Sequence, residues 1–220
     1  MTTSLTLTSF GHACVTLRHA GGSLVVDPGA YGDLTALESA DAVLVTHDHV
    51  DHVAAEPLVV ALARRPRLEV WGPDDVVDLL VGAGAPLERL HRVAAGDTFA
   101  AAGLDVEVLG EWHAVVHPDV PRAHNVAYLV AGTVLHPGDS FTAPASGRAV
   151  RVLLAPVAGP WLKISETIDY VRAVGAQTVV PIHDAVLSDA GRQLVDRLVS
   201  GLGHAGDYRR LATGEHLILD

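Results

Sequence analysis

The sequence predicts one α/β domain over residues 1–220, in which β-sheets are layered against flanking helices. Apolar segments of strand length follow one another near the start and in the middle of the chain, and further segments alternate with helical ones. This pattern is typical of sheets covered by helices. With 49% hydrophobic and 19% charged residues in 220, the chain has globular composition and is long enough for one sizeable core.

The first half is predicted to begin with three strands separated by glycines, before strands and helices alternate. The segment from Ala54 to Arg65 has a helical pattern, and Pro57 falls in its first turn, where proline is tolerated. Pro73-Asp74-Asp75 is predicted to open a second helix, because acidic residues favour the positive end of a helix. The predicted strands of this half are Leu5–Ser9, Ala13–Arg18, Ser23–Asp27, Asp41–Thr46 and Glu69–Gly72.

The second half repeats this plan, with helices predicted from Ser165 to near Gly175 and from Ser188 to Ser200. Histidines and acidic residues follow three apolar strands of the chain, at the carboxyl ends where open α/β sheets bind ligands. The predicted strands of this half are Leu104–Leu109, Asn125–Ala131, Thr133–His136, Arg151–Ala155 and Gln177–Ile182.

Charge and cysteine content narrow the expected partners and location. A formal net charge of −11 opposes nucleic-acid binding, which usually needs a basic face. No apolar run approaches the roughly 20 residues that span a bilayer, and the start lacks the basic and apolar stretches of a signal peptide. Cys14 is the one cysteine, which fits a reducing compartment. We therefore expect a cytoplasmic protein with a small-molecule substrate and no nucleic-acid or membrane partner, and homo-oligomerisation is left open.

Histidine is unusually frequent, with 13 residues in the chain, and several of them lie in one short segment. His47 and His49 alternate on the chain directly after a predicted buried strand, so both can face one cation. Asp51 and His52 are adjacent and point in different directions, which suits a second cation nearby. Four ionisable groups at the end of a core strand would be costly to bury without a partner. The segment His47-Asp48-His49-Val50-Asp51-His52 therefore predicts a metal site.

This hexad resembles the hallmark H-x-H-x-D-H of the metallo-β-lactamase superfamily, and the resemblance extends over nearly the whole chain. It implies an αββα sandwich, with two mixed β-sheets flanked by helices. Gly11-His12-Ala13-Cys14 and Leu135-His136-Pro137-Gly138-Asp139 are similar to the branch that contains ascorbate-6-phosphate lactonase. Asp27 resembles the aspartate that braces the metal loop.

The resemblance also implies a ligand set for two zinc ions, with manganese or iron as alternatives. The first ion would be held by His47, His49 and His113, and the second by Asp51, His52 and His183, with Asp139 shared. Between His113 and His117, we assign the third histidine to His113, because it lies closer to the end of its strand. The roles of His12, His117, His124 and His136 are left open.

The expected activity is that of a zinc-dependent hydrolase. Two cations about 3.5–4 Å apart can hold a hydroxide whose pKa is lowered to about 7, and this zinc-bound hydroxide would attack an ester, lactone or phosphodiester of a small molecule. Asp51 is expected to orient the attacking water besides serving as a ligand, and Asp27 or Asp184 could accept hydrogen bonds from the ligating imidazoles. The alternatives are a nuclease or phosphodiesterase that acts on nucleic acid, and a non-catalytic metal-binding module.

Overall fold

The computed structural model describes residues 4–145 and 148–220, which form two β-sheets of seven strands each. Seven strands build the first sheet: β1 (Leu5–Ser9), β2 (Val15–His19), β3 (Gly22–Val26), β4 (Ala42–Leu44), β5 (Glu69–Gly72), β6 (Leu90–Arg92) and β14 (His216–Leu219). Their order is β14-β1-β2-β3-β4-β5-β6, antiparallel from β14 to β3 and parallel from β3 to β6.

The second sheet has the same division into an antiparallel and a parallel half. Its strands are β7 (Thr98–Ala101), β8 (Leu104–Leu109), β9 (Ala127–Val130), β10 (Val134–His136), β11 (Val152–Pro156), β12 (Thr178–Ile182) and β13 (Asp207–Tyr208). Their order is β13-β12-β11-β10-β9-β8-β7, antiparallel from β7 to β10 and parallel from β10 to β13.

Helices cover the outer faces of both sheets. Alternate residues of β4 illustrate this: Ala42 and Leu44 face the central core between the sheets, whereas Val43 packs in the core beneath the helices of the first half. Strands buried on both faces are expected to be continuously apolar, as this segment is. The long helices are α1 (Ala55–Arg64), α2 (Asp74–Gly82), α3 (Ile164–Val174) and α4 (Asp189–Leu202).

The predicted fold class is confirmed: two mixed sheets are stacked between helices. The strands Leu5–Ser9, Glu69–Gly72 and Leu104–Leu109 have the predicted bounds. Four short strands, β6, β7, β13 and β14, were not predicted, because they lie at or beside sheet edges and lack a clear apolar period. None of the helices in the described part of the chain is both long and apolar enough to cross a membrane.

Candidate metal centre

Loops that follow strands of both sheets bring the seven predicted ligands together. The hexad loop follows β4 of the first sheet, and the loop with His113 follows β8 of the second. Asp139 lies three residues beyond the end of β10, and His183 directly follows β12. The adjoining ends of the strands thus hold polar side chains at one edge of the sandwich, as the sequence predicts.

One cluster contains the residues predicted to hold the first ion. His47 Nε2 lies 3.0 Å from His49 Nδ1, and Asp139 Oδ2 lies 3.3 Å from His113 Nε2 and 4.0 Å from His47 Nε2. Each of the four residues offers one ligand atom, and these atoms lie within 4.8 Å of one another. His47, His113 and Asp139 are buried, whereas His49 is exposed on the open side.

The second cluster contains the residues predicted to hold the second ion. Asp51 Oδ2 lies 3.3 Å from His183 Nε2. Asp139 reaches this cluster as well, because its Oδ1 lies 3.1 Å from His52 Nε2 and its Oδ2 lies 3.1 Å from His183 Nε2. Asp139 therefore stands between the two clusters, as expected of a shared ligand.

The donor set fits two metal ions. Two nitrogen ligands about 2.1 Å from a tetrahedral zinc ion are about 3.4 Å apart, close to the separations in both clusters. Buried polar atoms are normally hydrogen-bonded, but His52 Nε2, His113 Nε2, His183 Nε2 and Asp139 Oδ1 are buried without a hydrogen bond. These unpaired atoms face one another at distances typical of ligands around a shared cation.

Hydrogen bonds behind the ligands fix which imidazole nitrogen faces the centre. Buried Asp27 accepts from the Thr46 backbone N–H at 2.8 Å, the Thr46 hydroxyl at 2.7 Å and His52 Nδ1 at 2.7 Å. Because the Thr46 hydroxyl donates to Asp27, it accepts from His47 Nδ1 at 3.0 Å. His113 Nδ1 donates to the Ala114 carbonyl at 2.5 Å. In each case Nδ1 carries the proton and Nε2 is free to bind a metal.

The charges of the centre favour positive ions. Burial alone would raise the pKa of Asp139, but the charge of His52 and the close imidazoles of His113 and His183 hold it well below its usual range. Burial would lower the pKa of His183, yet its close contacts with the carboxylates of Asp139 and Asp51 raise it to about 9. Without cations, protons on imidazoles neutralise the carboxylates, and bound metal ions would take over this role.

His12 joins the second cluster, although its site role is left open by the sequence. Its Nε2 lies 3.1 Å from Asp51 Oδ2, and its Nδ1 accepts from the Ala185 backbone N–H at 3.3 Å. Burial is the main cause that lowers the pKa of His12. A neutral ring that accepts through Nδ1 carries its proton on Nε2, so His12 donates to Asp51 and orients this carboxylate instead of ligating an ion.

Trp161 is a site residue whose role sequence reasoning missed. Its indole Nε1 donates to Asp139 Oδ2 at 3.0 Å, and the whole side chain is buried. The Asn125 side-chain oxygen accepts from the Asp139 backbone N–H at 2.9 Å. Both contacts hold the shared carboxylate in place. The only sequence signal was the rigid Gly159-Pro160 turn before the tryptophan, which does not reveal the partner.

The remaining histidines near the centre have other partners. His136 is buried and donates through Nε2 to the Ala13 carbonyl at 2.9 Å, so it is a structural residue. His124 stacks on Trp112 and lies 2.8 Å from an Asp75 oxygen. The His117 side chain is 62% exposed, and it belongs to neither cluster. The predicted acceptor Asp27 is confirmed, whereas Asp184 pairs with Arg192 and Arg210 instead of an imidazole.

Backbone conformations at the centre are ones that most residues avoid. His12, Asp27 and His183 have φ angles of 52°, 50° and 60°, in the left-handed region that is unfavourable for non-glycine residues. A Cβ on Gly29 would lie 1.8 Å from the Asp51 carbonyl oxygen, so glycine is required where the Asp27 loop passes the hexad. Such strained positions cluster at functional sites.

Comparisons with known proteins agree with the fold and with the motif. The model of the β-lactamase superfamily domain matches residues 6–183. Protein Rv0786c of Mycobacterium tuberculosis is 36% identical over 192 residues, which are 84% of this chain and 87% of that one. The relative named "Probable L-ascorbate-6-phosphate lactonase UlaG" from Salmonella heidelberg is 31% identical over 125 residues, which are 49% of this chain and 35% of that one.

A solved structure supports the same architecture. Igni18, a metallo hydrolase from the archaeon Ignicoccus hospitalis, superposes with a TM-score of 0.73 and 20% sequence identity, and the match covers 99% of each chain. At this identity the likeness concerns the fold. Together with the match of the superfamily model over residues 6–183, these findings confirm the resemblance: the chain belongs to the metallo-β-lactamase superfamily of metal-dependent hydrolases.

Proposed function

We propose that the chain is a hydrolase that uses two zinc ions to cleave an ester, lactone or phosphodiester of a small molecule. The observation that carries this proposal is the position of Asp139, whose two oxygens contact ligand atoms of both clusters at 3.1–3.3 Å. A carboxylate between two sets of imidazoles suits a pair of ions better than a single one.

The donor chemistry favours zinc over harder ions. Five imidazoles and two carboxylates would be shared between the two ions, and nitrogen-rich sites of this kind suit zinc, whereas magnesium and calcium prefer oxygen ligands. Manganese or iron could bind the same side chains, but this nitrogen-rich set favours zinc over either of them. His47, His49 and His113 would hold one ion and Asp51, His52 and His183 the other, with Asp139 between them.

When bound, the ions supply a water acidified enough to attack at neutral pH and a positive charge beside the substrate oxygen. The side chain of Asp51 is 19% exposed, so this carboxylate reaches the open face of the centre. Burial would raise the pKa of Asp51, but the hydrogen bond from His12 and the close imidazole of His183 hold it well below its usual range. A weakly basic carboxylate held by His12 is suited to orient the attacking water by accepting its hydrogen bond.

A small-molecule substrate is supported by the charge of −11, which opposes binding of a polyanion. The lactonase relative makes a lactone one substrate class to test. We expect the purified protein to bind two zinc ions per chain, as measured by native mass spectrometry. Absence of bound metal after reconstitution with zinc would overturn the proposal.

Asp51→Ala tests the catalytic part. Turnover should fall by about 10²-fold or more, the range for a group that acts on the reacting water, in a panel of chromogenic phosphodiesters, lactones, thioesters and β-lactams. Asp48→Ala is the matched control, because Asp48 lies in the same loop but in neither cluster. Near wild-type turnover of Asp51→Ala would contradict the proposed role.

A further inference from the structure

We infer that the substrate carries an apolar group, which packs on a collar of exposed hydrophobic side chains around the candidate metal centre. This inference rests on the proposed function and names the substrate class that the centre would take. The side chains of the collar lie on the loops that carry or adjoin the ligands, and 39–62% of their surface is exposed. The collar consists of Tyr31, Val50, Val115, Val116, Val120 and Val186.

Two collar residues adjoin the second cluster. Val50 lies in the hexad between the ligands His49 and Asp51, and its side chain points to solvent. The Val50 carbonyl accepts from the Ala30 backbone N–H at 2.8 Å, which holds the Tyr31 loop against the hexad. The ring of Tyr31 lies 5.3 Å from that of His12, which itself contacts Asp51. Apolar surface therefore borders this side of the centre directly.

The other collar residues lie on the loops after β8 and after β12. Three valines, Val115, Val116 and Val120, line one cleft together with the ligands His49 and His113. Val186 lies three residues beyond the ligand His183, and the adjacent Ala185 N–H donates to His12. The collar residues thus lie on the same loops as the ligands: in or beside the hexad, after β8 and after β12.

Single exposed hydrophobic residues are common, but contiguous apolar patches around a polar site are typical of ligand-binding surfaces. Small-molecule sites usually combine an apolar lining with a few polar groups that fix the reacting part. The collar and the clusters have this arrangement. Exposed apolar residues elsewhere, such as Val60 on α1 and Val81 on α2, adjoin no predicted ligand.

The cation that lines the same cleft is anchored to the loop through one of its donors. Arg122 adjoins His49 and His113 there, but its Nε donates to the His113 carbonyl at 2.6 Å. Its guanidinium carbon lies 5.8 Å from the centre of the Trp112 ring, over its face. Three valines line this cleft beside its one cation, and on this ground we expect the collar to favour a neutral, apolar substituent over a phosphate.

The test compares p-nitrophenyl acetate, butyrate and octanoate as substrates of the zinc-loaded protein. Burial of only two of the six additional methylenes of octanoate should raise kcat/KM over acetate by about tenfold. The double variant Val50→Ser/Val116→Ser should lose most of this preference, so that its kcat/KM on octanoate falls toward its kcat/KM on acetate. Val60→Ser/Val81→Ser, with the same change at exposed positions outside the collar, should keep the preference.

A binding measurement separates this inference from the proposed function. Octanoate should bind the zinc-loaded protein about tenfold more tightly than acetate in calorimetry, and the collar variant should lose the difference. If octanoate binds in this way but no substrate is turned over, the proposed hydrolase activity is wrong and the inference about the collar holds. Turnover that is independent of chain length, or faster on phenyl phosphates than on p-nitrophenyl octanoate, would contradict the inference about the collar but not the proposed hydrolase activity. The inference about the collar would also be contradicted if the collar variant differed from the wild type only in its oligomeric state.

Discussion

Asp27→Asn tests whether one buried carboxylate sets the ligating nitrogens of both clusters. The amide keeps the size of the carboxylate, and asparagine tolerates the φ of 50° at this position. Its oxygen can still accept from the Thr46 backbone. The amide NH₂, however, would face His52 Nδ1–H, which now donates to Asp27 Oδ2 at 2.7 Å. To avoid two opposed donors, His52 must move its proton to Nε2, the nitrogen that faces the centre.

The magnitude follows from this lost contact. A hydrogen bond to a charged group contributes about 1.5–3 kcal/mol, and about 2 kcal/mol corresponds to a roughly 30-fold change in an equilibrium constant. We therefore expect zinc affinity to fall by about 10–100-fold, chiefly for the ion that His52 would hold. The metal-free protein should also lose about 3–5 kcal/mol of unfolding free energy, because the substitution breaks the fully buried Asp27–His52 pair.

Zinc affinity is measured by competition with a chelator, and the unfolding free energy by urea denaturation of the metal-free protein. Asp105→Asn is the matched control, because Asp105 is exposed on β8 and the same change there should leave both quantities unaltered. If Asp27→Asn bound two zinc ions with wild-type affinity, Asp27 would not determine the tautomer of His52, and the reasoning would be refuted.

Two further predictions concern the centre. His113→Ala should lose bound zinc and His117→Ala should keep it, as measured by metal analysis of both variants; the reverse result would exchange their roles. Trp161→Phe removes the indole donor to Asp139 and should weaken zinc binding by about fivefold. Zinc should alter the fluorescence of Trp161, and the response should persist in Trp112→Phe but disappear in Trp161→Phe; the opposite pattern would count against this contact.

The sequence contained most of the information on the fold and on the candidate ligands. Strands such as Glu69–Gly72 and Leu104–Leu109 were predicted with their correct bounds, because apolar periodicity and turn residues are local signals. The hexad also is local, since its four candidate ligands are neighbours in the chain. The more distant candidates His113, Asp139 and His183 followed from the resemblance to a family, and the structure places them beside the hexad.

Apart from Asp27, the residues that hydrogen-bond to those ligands were decided by the tertiary structure alone. His12 and Asp51 are 39 residues apart, and Trp161 and Asp139 are 22 apart, yet each pair forms a hydrogen bond. No periodicity or spacing in the chain encodes such contacts, because they depend on how loops from two sheets meet. The edge strand β14 escaped prediction for a related reason: it pairs with β1 from the other end of the chain, and the ladder compensates for its weak apolar pattern.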